Sequence, residues 1–175
     1  SGQSVAIMLP TSREYFCCFL GIVLAGGVPV PIYPPARPSQ IEDHLRRHAG
    51  ILSNALAVML ITVPEAKAVA KLLRAQVESL RAVVTTAELA VATRAPRSAL
   101  KPENIALLQY TSGSTGNPKG VALTHANLLA NIRAMGQAAR VTSTDVFVSW
   151  LPLYHDMGLI GAWLGSLYFA YPLVV

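Results

Sequence analysis

Charge and cysteine are both scarce in this sequence. Asp, Glu, Lys and Arg together make up 13% of its 175 residues, against 53% hydrophobic residues. That balance excludes intrinsic disorder, because a chain that stays unfolded carries more charge and less apolar surface. The two cysteines, Cys17 and Cys18, are adjacent. Sequence neighbours point to different faces of a helix, so a disulfide framework is excluded and a reducing, cytoplasmic location is expected. The opening Ser1-Gly2-Gln3-Ser4 lacks the basic n-region of a signal peptide. There is no G-x-G-x-x-G, no G-x-S-x-G and no H-E-x-x-H. A dinucleotide fingerprint, a nucleophile elbow and a zincin helix are therefore all absent.

What is present is apolar. Mean hydropathy is +0.45, which calls for a sheet buried on both faces or a membrane segment. Two uncharged runs, Tyr15 to Ala36 and Met157 to Val175, reach the roughly 20 residues of a spanning helix. The first is broken by Gly26, Gly27, Pro29, Pro31, Pro34 and Pro35 and reads as a buried helix, a turn and a buried strand. The second holds Pro172 and several glycines, and no transmembrane segment is expected. The net charge of +5 comes from scattered basic residues without a recognition motif, so nucleic acid is not an expected partner.

Val5 to Leu9 is a short apolar run without alternation, as in a strand covered on both faces. Thr11 and Glu14 have capping-box spacing and open a helix over about Ser12 to Ala25, stopped by Gly26-Gly27. Val28 to Ile32 reads as an edge or irregular strand because of its two prolines. Ile41, Leu45, His48, Ala49 and Leu52 recur at helical spacing, and Ala57 to Ile61 is another buried strand. Thr62 and Glu65 repeat the capping-box spacing before a helix marked by Val69, Leu73, Val77 and Leu80. Arg81 to Val84 is a candidate fourth strand, and Thr86 to Glu103 a surface connection. The alternation predicts an α/β fold: a layered parallel sheet with helices on both faces.

Ile105 to Gln109 is one more apolar strand. It runs into Tyr110-Thr111-Ser112-Gly113-Ser114-Thr115-Gly116-Asn117-Pro118-Lys119-Gly120. After Val121-Ala122-Leu123, Thr124 is the expected N-cap of a helix to about Ala139, with Leu123 and Leu128 at hydrophobic-staple spacing. Glycines let backbone N–H groups close on an anion, hydroxyls add rotating donors, and Lys119 adds positive charge. This is chemistry for a polyphosphate, at the strand end where open α/β sheets bind ligands. A Walker A loop is excluded, since Pro118 stands where its glycine belongs and Gly120 follows the lysine. The alternative is a plain surface loop.

Thr111 to Gly120 resembles, at every position, the signature phosphate loop of the adenylate-forming superfamily. That superfamily includes acyl-CoA synthetases, luciferases, nonribosomal-peptide adenylation domains and fatty acyl-AMP ligases. The resemblance implies that Thr111, Ser112, Ser114, Thr115 and Lys119 donate to the β- and γ-phosphates of ATP. It implies too that Gly113, Gly116 and Gly120 belong to the same cofactor-binding loop, and that Lys119 is catalytic.

Downstream, Asp145 to Trp150 alternates as a strand and leads into Leu151-Pro152-Leu153-Tyr154-His155-Asp156-Met157-Gly158-Leu159-Ile160-Gly161. A His155–Asp156 dyad is disfavoured because adjacent residues seldom activate a nucleophile. No metal site is expected. His44 and His48 are expected on a solvated helix face beside Arg46 and Arg47. The stretch from Trp150 to Gly161 resembles the superfamily motif in its fatty acyl-AMP ligase form, and Gly27 to Pro35 resembles the same branch. By that resemblance His155 is catalytic at the mouth of the acyl pocket, as a donor to developing charge. Tyr154, Asp156, Met157 and Gly158 join His155 in contacting the carboxylate substrate.

The family's adenine loop, magnesium glutamate, ribose aspartate and terminal lysine are not found. Residues 1–175 are therefore expected to be a partial N-terminal adenylation domain, the first subdomain of a larger ligase and inactive alone. The remainder of the large domain and the C-terminal lid domain would lie elsewhere. The expected reaction of the whole protein is activation of a long-chain fatty acid to acyl-AMP with ATP and Mg2+. The acyl group would pass to an acyl carrier protein or polyketide synthase, with coenzyme A as the alternative acceptor. A noncatalytic lipid- or partner-binding module is a further alternative. Acyl chain length and oligomeric state are not legible.

Overall fold

The structure is a computed structural model that describes residues 2–34, 41–89, 98–111 and 118–175. Four parallel strands form its main sheet: β1 (Ser4–Met8), β2 (Val28–Pro31), β3 (Met59–Thr62) and β4 (Ala82–Thr85), in the order β2-β1-β3-β4. Helices α1 (Arg13–Leu24), α2 (Ile41–Asn54) and α3 (Lys67–Gln76) make the crossovers. A four-residue turn, α4 (Thr86–Leu89), follows β4. The expected layered parallel sheet with helices on both faces is what forms.

Alternation along the buried strands sorts the core into two halves. Ala6, Met8, Val30 and Leu60 face α2 and α3, packing on Leu52 and Leu73. Ile7, Leu9 and Ile61 face the other way, onto Tyr15 and Phe19 of α1. Period-2 geometry explains this, since neighbours on a strand point to opposite faces. β2 is an edge strand, which is where Pro29 and Pro31 are tolerated.

Local caps differ in detail from the sequence reading. The α1 N-cap is Ser12, not Thr11: its hydroxyl accepts from the Tyr15 N–H at 3.3 Å. Gly26, at φ +76°, ends the helix in a conformation that a side chain resists. Thr62 is the last residue of β3 rather than a cap, and a 3-10 turn at Pro64–Ala66 leads into α3 without a side-chain cap. Pro64 supplies the turn with its fixed φ instead.

The second half departs further from simple alternation. β5 (Ile105–Thr111) pairs antiparallel with β6 (Lys119–Thr124), a hairpin that the sequence reading did not contain. β5 packs beside the edge strand β2. Helix α5 (His125–Ala139) is capped by Thr124 and Asn127 in a reciprocal capping box. Only Phe147–Val148 of the expected Asp145–Trp150 strand forms β7, pairing in parallel with β8 (Leu173–Val174). Met157–Leu164 is a π-helix that continues into α6 (Gly165–Phe169). Among the described residues, no helix is long and apolar enough to cross a membrane.

His44 and His48 overturn their expected placement. They are 6% and 0% exposed and stack on each other with centroids 3.8 Å apart. Both meet the Tyr33 ring edge-on. The helix turns its apolar stripe of Leu45, Ile51 and Leu52 to the sheet, and the histidines lie on that same side. His48 Nδ1 donates to the His44 carbonyl at 2.7 Å. Burial pushes the His48 pKa down to about 4 and that of His44 in the same direction.

Candidate functional site

The β5–β6 hairpin carries the glycine–hydroxyl segment at its tip. Its feet are Thr111 and Lys119, which face each other in register, and both are exposed. Ser112, Gly113, Ser114, Thr115 and Gly116 lie outside the described residues. The residue before each foot lies against α2. The Tyr110 hydroxyl donates to Asn54 Oδ1 at 2.5 Å. Pro118 sits 3.9 Å from where a side chain would begin on Gly50. Gly120 makes room for the Tyr110 ring, since a Cβ there would lie 2.8 Å from it.

Two buried donors hold the Leu153–Asp156 segment by its carbonyls. The Tyr15 hydroxyl donates to Leu153 O at 2.8 Å, and Gln109 Nε2 donates to Tyr154 O at 2.9 Å. A turn bond from His155 N to Pro152 O (3.0 Å) and a further bond from Leu159 N to His155 O (2.9 Å) complete the bend. A buried carbonyl without a donor is expensive, so these bonds fix the backbone that presents His155.

His155 Nδ1 stands 2.8 Å from Asp156 Oδ1, with both side chains more than half exposed. A pair so solvated contributes little to stability. It does orient the ring: with Nδ1 turned to the carboxylate, Nε2 is left pointing away. The same carboxylate oxygen accepts from Met157 N at 2.8 Å, shorter than the 3.4 Å from that N–H to His155 Nδ1.

Between these pieces lies a cleft of about 290 Å³. Its walls include Tyr33, Arg47, Gln109, Thr111, Tyr154 and His155, with Asp156 beside them. On the other side of β5 a second cavity of about 540 Å³ shares Gln109, Thr111 and Asp156 and adds Asn127 and Asn131. A larger and more apolar cavity, about 680 Å³, lies against α1 and the strands beneath it, away from both motifs. The polar groups converge on the first cleft rather than on the largest cavity, and convergent donors are what orient a ligand.

The structure thus brings Thr111 together with Tyr154, His155 and Asp156. Lys119 stands at the hairpin foot outside that cleft. Met157 is exposed and Gly158 buried, and neither lines the cleft. Gly158 is instead pressed on its own turn, where a Cβ would meet Pro152 O at 2.5 Å. Tyr33, Arg47 and Gln109 were given no site role in the sequence, and Arg47, expected on a solvated face, is half-buried. Only Gln109 left a signal, a polar residue at the end of the apolar run Ile105 to Leu108. Its Oε1 is buried without a partner among the described residues. Among the described residues, no group of three His, Cys, Asp or Glu is placed to hold a metal.

A family model described as AMP-binding enzyme matches residues 1–175. The long-chain-fatty-acid–AMP ligase FadD32 of Mycobacterium marinum is 36% identical over 169 residues, covering 94% of this chain and 26% of that protein. The medium-chain-fatty-acid–[acyl-carrier-protein] ligase TtuA of Teredinibacter turnerae is 54% identical over 72 residues, 41% of this chain and 11% of that one. A solved structure from studies of fatty acyl-adenylate ligases of E. coli and L. pneumophila superposes with a TM-score of 0.93 at 32% identity. That match covers 99% of this chain and 32% of the other. The chain spans about a quarter of the length of the FadD32 relatives it matches.

Proposed function

The chain belongs to the AMP-binding enzyme family, and from that premise we propose that the protein carrying it activates a fatty acid with ATP. The carboxylate oxygen attacks the α-phosphorus, the bond to the bridging oxygen breaks, and acyl-AMP and pyrophosphate form. The observation that carries this reading is the meeting of Thr111 and His155 in one cleft. A phosphate-binding foot and a carboxylate-side donor must stand together for such a transfer. Positioning and charge neutralisation do most of the work in it.

In this reading Thr111, Ser112, Ser114, Thr115 and Lys119 hold the phosphate tail, and Gly113, Gly116 and Gly120 belong to the same loop. His155 Nε2 donates, when protonated, to charge that develops on the reacting oxygens. Tyr154 and Asp156 border the acid, with Asp156 orienting the imidazole. Mg2+ would offset phosphate charge when bound. The one carboxylate in the cleft, Asp156, is already engaged by His155, so the described residues do not by themselves fit the ion.

The acyl group then passes to the thiol of an acyl carrier protein or a polyketide synthase. The relative named for a carrier protein supports that acceptor. Coenzyme A is the other outcome, and thioester formation with each thiol separates them. The test of the first step is ATP–pyrophosphate exchange by the full-length protein. Lys119→Ala and Thr111→Ala are each expected to lower it on the order of 100-fold, as loss of one transition-state donor does. Undiminished exchange in both would end the reading.

A further inference from the structure

Arg47 belongs to neither motif, yet its side chain is half-buried in the cleft with Thr111, Tyr154 and His155. Its neighbour on α2, Arg46, pairs with Asp43 at 3.6 Å in open solvent. Arg47 has no carboxylate within 4.0 Å, and all nine Asp and Glu of the chain are among the described residues. Its Nε is buried without a hydrogen-bond partner among the described residues.

The guanidinium is nonetheless held in place. It lies 5.8 Å over the Tyr33 ring. Tyr33 is in turn braced edge-on by His44 at 5.2 Å and His48 at 4.5 Å, and leans on Tyr154 at 5.9 Å. Asp156 is the one acidic group facing the cleft, and it is taken by His155. The molecule therefore carries a pre-oriented cation, partly withdrawn from water and with no counter-charge. Such an arrangement costs free energy until an anion arrives, and a guanidinium suits a phosphate's paired oxygens.

We propose that Arg47 forms an anion site for a phosphate-bearing ligand, the terminal phosphates of ATP or the released pyrophosphate. The proposal rests on the adenylation reading. Phosphate is favoured over the fatty carboxylate by position. Pro118 lies near Gly50 and Tyr110 bonds to Asn54, so the residues that precede Thr111 and Lys119 stand over the helix that carries Arg47. Gly50 is about one turn from Arg47. A polyanion also calls for more positive charge than Lys119 supplies alone.

The test uses the full-length protein with Arg47→Gln and Arg47→Lys, leaving Lys119 intact. Binding of inorganic pyrophosphate is read by calorimetry, and KM for ATP and for the fatty acid by exchange. Pyrophosphate Kd and ATP KM are each expected to rise about 10-fold or more in Arg47→Gln, the loss of one charge-assisted contact. Fatty-acid KM should stay within about twofold, and Arg47→Lys should fall between. If Arg47→Gln does not fold, Arg47→Lys carries the test, with a smaller rise expected in the same two constants. Unchanged pyrophosphate affinity in the folded variants overturns the site, as does a rise in fatty-acid KM alone. Wild-type protein that binds pyrophosphate through Arg47 yet makes no acyl-adenylate would keep this site and remove the adenylation reading.

Discussion

Gln109 Nε2 donates to the carbonyl of Tyr154 at 2.9 Å, across 45 residues of chain. Gln109 stands two residues before Thr111 on β5, so one strand both carries the foot of the hairpin tip and pins the segment that presents His155. Gln109→Leu removes that donor and strands a carbonyl. Stability is expected to fall by about 1–3 kcal/mol in denaturant unfolding. Acyl-adenylate formation is expected to fall on the order of 100-fold, because a misplacement near 1 Å is enough for that. ATP KM should hardly move.

The second pin is Tyr15, 1% exposed, whose hydroxyl donates to Leu153 O. Tyr15→Phe keeps the ring against Phe19 and Trp163 and loses only that bond. A destabilisation of about 1–3 kcal/mol is expected, measured by urea unfolding. Burial pushes the Tyr15 hydroxyl pKa well up. The folded state therefore resists losing that proton, and Tyr15 should ionise in an alkaline absorbance titration only as the fold is lost.

His48 makes the fold acid-sensitive. Its pKa drops from 6.5 to about 4 on burial, so the unfolded chain binds the proton more readily. The contribution of the neutral ring is complete above pH 6.5, declines as pH falls, and is gone below about 4. Across that window the loss should reach roughly 3 kcal/mol. His44 shifts the same way. Unfolding free energies measured from pH 7 to pH 4 check this, and a His48→Phe variant should show a shallower decline.

Gly158→Ala should disturb the His155 turn rather than the cleft wall. The new Cβ would lie 2.5 Å from Pro152 O and 2.8 Å from Leu151 O, both backbone atoms that cannot swing away. A loss of about 1–3 kcal/mol is expected, read as a lowered Tm. An unchanged Tm would mean that Gly158 is not pressed against these carbonyls in solution.

Much of this protein can be read from local chemistry. Unalternating apolar runs marked β1 and β3 because strands buried on both faces need no polar side. Gly26 and Thr124 marked helix ends because backbone conformation and capping bonds are set within a few residues. The hairpin-tip motif was legible for the same reason, as its residues are consecutive. Tertiary structure decided what lies across the chain. Periodicity tells which face of an element is apolar but not what it will meet. The antiparallel pairing of β5 with β6, the stacking of His44 and His48 under Tyr33, and the entry of Arg47 and Gln109 into the cleft with Thr111 and His155 were therefore not legible in sequence, although His48 already fell on the apolar stripe. The hairpin is local, but its register is closed by pairing rather than by any pattern within one strand; the cleft joins segments as far apart as Arg47 and His155, which only packing of the whole fold selects.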